Sequence, residues 1–143
     1  MTRIRPARPD GDAAAVAELT TQLGYPVTES EARSRVAAVT QDGGAVLVAC
    51  DGADRAIGWI QVGAVTTLEV GVQAVIHGLV VDEEHRGGGI GQALLEAGEA
   101  WAREAGIGLM LVRSRETRER AHRFYERSGY EHSKTSRVFR KPL

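Results

Sequence analysis

The chain has 143 residues, 43% hydrophobic and 26% charged, the size and make-up of one globular domain with core enough for a sheet and its helices. A net charge of -1 argues against a nucleic-acid partner, and no apolar run reaches the roughly 18 residues that span a membrane. One cysteine, Cys50, excludes an intrachain disulfide or a thiolate metal site and reads as a small buried apolar residue.

The elements alternate along one expected domain, residues 1–143, without repeats or linkers. "MTRIRPARPDGD" carries no apolar leader, so a cytoplasmic location is expected. Residues 2–7 alternate as a short strand. Asp10 and Asp12 stand where they can cap a helix bearing Ala15, Val16, Leu19 and Leu23 on one face, ended by Gly24. Thr28 and Glu31 have the spacing of a capping box, opening a second helix to about Val39. Residues 43–50 and 56–65 read as strands joined across "DGAD". Residues 72–81 form a longer, mostly apolar strand of the kind covered on both faces. A helix over 89–105 presents Ile90, Leu94, Ala97, Trp101 and Ala105. A buried strand over 108–114 follows, then a helix over 117–128 with Ala121, Phe124 and Tyr125 on one face and Gly129 at its end. "YEHS" and "SRVFRK" read as two last short strands. The expected fold is therefore α/β (α+β), a mixed sheet flanked by helices in the order β-α-α-β-β-β-α-β-α-β-β. Strands 72–81 and 108–114 should be parallel, joined by a right-handed crossover.

The charge is uneven. Residues 1–75 hold 6 basic against 9 acidic side chains, and residues 76–143 hold 12 against 10, so the second half suits an anionic ligand better. It contains "VDEEHRGGGIGQALLEAG", where a strand gives way to a helix. A dinucleotide fingerprint fails there, because Gln92 or Leu94 stands where its last glycine belongs, and the lysine of a P-loop is missing. The physics of an anion cradle remains. First-turn N–H groups have no partner inside the helix, and the dipole adds about half a positive charge. Glycines remove the side chains that would hold a phosphate away, and Arg86 adds charge at the rim.

In this stretch Arg86, Gly89 and Gly91 fill the pattern [QR]-x-x-G-x-[GA], and "RERAHRFYERSGY" supplies a second motif, A-x-x-[FL]-Y closing on glycine and an aromatic. With these two motifs the chain resembles the GNAT superfamily of N-acetyltransferases, and the element order is similar to that of the family over nearly the whole chain. The resemblance implies acetyl-CoA as acyl donor and no metal. Arg86, Gly87, Gly88, Gly89, Ile90, Gly91 and Gln92 would cradle its pyrophosphate. Its pantetheine arm would lie along the backbone of Leu79, Val80 and Val81, which requires strands 72–81 and 108–114 to part at their C-terminal ends. An amine would attack the thioester directly, a strand N–H near Val81 would stabilise the oxyanion, and Tyr125 would protonate the leaving thiolate.

The chain departs from the family pattern at Arg118 and Arg115, where relatives carry asparagine; Ser114, Arg118 and Arg120 are the remaining cofactor candidates here. The six arginines between 113 and 127, interleaved with Glu116, Glu119 and Glu126, also suit a solvated helix. A strand glutamate of many relatives is replaced near Val75. His77, Glu29, Glu31 and Glu69 are the candidate bases. Tyr25, Pro26 and Trp59 are candidate lining of the acceptor pocket. The acceptor is expected to be a small-molecule amine or a protein N-terminus, and a homodimer is implied by several relatives. The competing reading is a CoA- or acyl-CoA-binding sensor without turnover.

Overall fold

The computed structural model describes residues 2–115 and 118–143. These divide into two compact units, one ending at Val112 and one beginning at Arg113. The first holds β1 (Arg3–Pro6), α1 (Ala13–Leu23), α2 (Glu29–Gln41), β2 (Ala45–Cys50), β3 (Ala56–Thr67), β4 (Gly71–Val81), α3 (Ile90–Glu104) and β5 (Met110–Val112). The strands lie in sequence order, β1-β2-β3-β4-β5. The first three pairings are antiparallel and β4–β5 is parallel, as expected for two strands joined through a helix.

Side-chain alternation on β3 divides the core into two layers. Trp59 packs with Val16, Leu19, Val36, Val48 and Val80 beneath α1 and α2. Ile60 and Val62 lie on the other face, against α3 at Gly98. Cys50 is buried in the first layer, where desolvation raises its thiol pKa.

Local chemistry settles the helix ends. The capping box of α2 forms, with Glu31 N–H donating to Thr28 Oγ1 at 3.1 Å and Thr28 N–H to Glu31 Oε1 at 3.0 Å. Asp12 stands at the N-cap of α1 but makes no side-chain cap bond. Its buried carboxylate instead accepts two Arg5 N–H bonds at 2.7 and 2.9 Å and the Arg8 amide at 2.6 Å. Burial opposes the charge; these donors outweigh it and hold the carboxyl below its usual range. Arg3, Arg5 and Arg8 also converge on Asp54.

Three expectations change. Helix α3 buries Ile90, Leu94, Leu95, Gly98 and Ala102; Trp101 and Ala97 are only half-buried and Ala105 is exposed. The layer of Ile60 and Val62 selects the stripe, and the apolar spacing alone permits a neighbouring one. Strand β5 is three residues long and half-buried, shorter than 108–114. In the second unit, α4 spans Glu119–Arg127, while residues 130–133 and 136–141 form no strands. Val138 and Phe139 are 88% exposed. An alternating pattern becomes a strand only where a neighbour completes its ladder, and among the described residues no such pairing occurs there. Glu116 and Thr117, the latter the expected start of the last helix, lie outside the described residues.

Candidate active site

Strand β4 changes character at one residue. Gln61 pairs with Gly78 and Val62 with Ile76, so His77 is an extra residue in β4, a β-bulge. Before it, Ala74, Val75 and Ile76 pair with Met110, Leu111 and Val112. No β5 pairing is described for residues 77–81. The described parallel pairing thus ends at Ile76 and Val112, the last residue of β5, and the bulge in β4, which the sequence did not predict, follows at the next residue. The isolated Gly78 was the available signal. Trp59 explains that glycine, because a Cβ there would meet the indole ring at 2.8 Å.

The bulge also resets which amides face the open edge. Asp82 N–H donates to Ile57 O at 2.8 Å. By antiparallel alternation, Val80, partner of Trp59, turns its backbone to β3, and Leu79 and Val81 turn theirs outward. Of the three strand candidates, Leu79 and Val81 thus present backbone to the edge, and Val80 is committed to the sheet and core.

The glycine stretch follows a single 3-10 turn, Glu83–His85. Gly87 and Gly89 have φ of +88° and +82°, values that disfavour any side chain. Gly89 is the N-cap of α3, and Ala93 makes the first backward helical bond, to Gly89 O at 3.0 Å. The amides of Ile90 and Gly91 precede that bond. Gly87 and Gly89 have nothing within 4 Å of the position a Cβ would take. This is an open amide-rich cradle of the kind that holds phosphate. Arg86 is tethered as well as charged, since its Nε donates to Val81 O at 3.1 Å.

Gln22 on α1, which the sequence reading missed, holds the start of this loop through Asp82 and Glu83. No short motif marks such a contact, because its partners stand 60 and 61 residues away. Beside it lies a cleft of about 260 Å³, where Glu18, Asp51, Asp82, Glu83 and Glu84 outnumber Arg55.

The base candidates separate clearly. Glu31 is held in the capping box and pairs with Arg35 at 3.2 Å, and Glu29 pairs with Arg33 at 3.5 Å. Glu69 is exposed in the β3–β4 turn. His77 is exposed at the bulge. Its Nε2 lies 3.2 Å from the position of a Cβ on Gly63, so its ring is on the sheet face that Gly63 shares with Trp59. Of the acceptor candidates, Tyr25 and Pro26 are exposed beyond α1. Trp59 is a core residue, 7% exposed, whose indole Nε1 makes no hydrogen bond among the described residues.

In the second unit, Tyr125 packs edge-on against Phe124 and Tyr130, with ring centroids 5.3 and 5.9 Å away. Burial pushes its phenol pKa up, partly offset by the Arg118 guanidinium, so the phenol keeps its proton near neutral pH. Arg118 is the N-cap residue of α4 and makes no side-chain cap bond there. Arg120 is exposed, and the Ser114 hydroxyl is buried without a hydrogen-bond partner among the described residues.

The profile of the Acetyltransferase (GNAT) family covers residues 13–130, so the chain belongs to that family. Its reaction class is transfer of an acetyl group to an amine. The chain is 31% identical to an aminoglycoside N(6')-acetyltransferase type 1 of Stenotrophomonas maltophilia, over 98% of this chain and 93% of that one. Among solved structures, a putative acetyltransferase from Agrobacterium tumefaciens is similar with a TM-score of 0.83 and 25% identity, covering 97% of this chain and 99% of that one. An aminoglycoside 6'-N-acetyltransferase from Acinetobacter baumannii shares the fold with a TM-score of 0.85 at 17% identity, covering 100% and 99% of the two chains.

Proposed function

We propose that this chain is an acetyl-CoA-dependent N-acetyltransferase acting on a small polyamine, and that both units belong to one catalytic domain, as the family match running across residues 112 and 113 suggests. The observation that carries the reading is the outer edge of β4 beyond His77, adjoining the glycine cradle. Acetyl-CoA supplies an activated thioester. Amides of residues 87–92 and the Arg86 guanidinium hold its pyrophosphate. The outward backbone of Leu79 and Val81 binds its extended arm like an added strand, and one of these N–H groups stabilises charge on the carbonyl oxygen. Ser114, Arg118 and Arg120 remain further cofactor contacts. His77 takes the proton that the attacking amine must lose, and Tyr125 gives a proton to the departing thiolate.

A polyamine is favoured because five carboxylates flank the neighbouring cleft and because the curated relative acetylates aminoglycosides. We assign the protein to the cytoplasm and, because Val138 and Phe139 stand exposed, to a homodimer. Sedimentation at the 15.4 kDa of one chain would refute the dimer.

The test is thiol release from acetyl-CoA across a panel of amines that includes aminoglycosides. Wild type should turn over at least one polyamine. Tyr125→Phe and His77→Gln should each lower turnover by about 10²- to 10⁴-fold while still binding CoA. No release with any amine would refute the enzyme reading.

A further inference from the structure

We propose that Gln22 is a positioning residue for the phosphate cradle, linking α1 to the loop that binds CoA; this rests on the reading of that loop given above.

Its carboxamide is used at both ends. Nε2 donates to Asp82 Oδ1 at 2.8 Å, and Oε1 accepts the Glu83 N–H at 3.0 Å. Only one orientation of the amide works. The flipped form would set an NH2 against an N–H donor and an oxygen against a carboxylate. The partners are therefore selected by chemistry as well as by distance.

Asp82 is in turn held at every polar atom. Its N–H bonds Ile57 O at 2.8 Å, and its carbonyl accepts the His85 N–H at 2.9 Å. Its second carboxylate oxygen meets His85 Nδ1 at 2.7 Å. Gln22 and His85 keep its carboxyl below the usual range. Four residues separate Asp82 from Gly87, the first left-handed glycine, and Arg86 ties the intervening turn back to Val81 O. The cradle thus hangs from a fixed point, and one side chain connects that point to another element.

Anchoring α1 does not need this bond. The buried stripe of that helix is Ala13, Ala15, Val16, Ala17 and Leu19, and Gln22 lies one turn beyond it, half-buried. Gln22 therefore links α1 to the start of the loop expected to meet the donor. Its contribution is the geometry of the amides at 87–91, which do the binding.

The test is calorimetric titration with CoA, with thermal unfolding measured on the same samples. Gln22→Met keeps the length of the side chain and removes both hydrogen bonds. It should weaken CoA by about tenfold, the scale of one hydrogen bond to a charged group. Gln22→Glu retains an acceptor for the Glu83 N–H but sets a carboxylate against Asp82, and should weaken CoA at least as much. Adding Asp82→Asn to Gln22→Glu exchanges donor and acceptor and should recover most of the affinity, a coupling that a general loss of stability would not produce. CoA affinity unchanged in Gln22→Met, or no recovery in the paired variant, overturns the inference while leaving the site reading intact. Failure of the wild-type chain to bind CoA overturns both.

Discussion

The two halves of β4 share one strand and one neighbour, β3, yet do different work. Residues 71–76 lead into a stretch, Ala74 to Ile76, that is hydrogen-bonded on both sides and buried. Residues 77–81 pair with β3, and their other edge carries the outward amides of Leu79 and Val81. The change falls at one inserted residue, His77, where β5 also ends. It follows the last parallel pair, resets the alternation of the amides, and leaves its own side chain exposed. The lesson is that a fully bonded strand has nothing left for a ligand. A strand that loses one neighbour keeps its rigidity from the other and gains a row of oriented backbone groups.

The largest effect that would break this comparison lies in the closed half. Ile76 is 1% exposed, between β5 and the α3 layer. Ile76→Ala should destabilise the fold by about 2 to 5 kcal/mol in urea unfolding. His77→Gln, one residue later, should change that unfolding free energy by less than about 0.5 kcal/mol and show its effect in turnover. A large stability loss at His77 would erase the distinction.

An intermediate effect compares two left-handed glycines at opposite ends of α3. Gly89 and Gly106 have φ of +82° and +76°, and each has open space where a Cβ would go. Alanine at either should cost roughly 1 to 2 kcal/mol of backbone strain. Only Gly89→Ala should also weaken CoA, by several-fold in a titration.

The smallest effect is acid-dependent and local. The Asp82 carboxyl is held below its usual range by the Gln22 amide and by His85. A lowered pKa in the folded state stabilises the clip above the ordinary carboxylate value of about 4 and loses that contribution as pH falls through the lower, folded value. Hydrogen exchange followed downward from pH 5 should show protection failing at Glu83 while Ile76 stays protected. Simultaneous loss at both would mean that the loop and the sheet core open as one unit.

Sequence by itself determined the parts governed by neighbours in the chain. The α2 capping box needs only a threonine and a glutamate three residues apart. The glycine run needs only a strand before it and a helix after it, and together with the A-x-x-[FL]-Y motif it carried the family and the class of reaction. Periodicity gave the order of elements through α4. Tertiary structure decided whatever depends on a partner far along the chain. Asp12 had the right place for a cap, yet two hydrogen bonds from Arg5 claimed its carboxylate. The stripe of α3 was selected by Ile60 and Val62. The last two strands had the right alternation but no ladder to join. His77 had no special standing in the sequence until the pairing of β3 with β4 made it the extra residue, and Gln22 gained its partners only through the packing of α1 beside the end of β4. Local chemistry can be read from spacing; a hydrogen bond across 60 residues exists only once the fold has brought its two ends together.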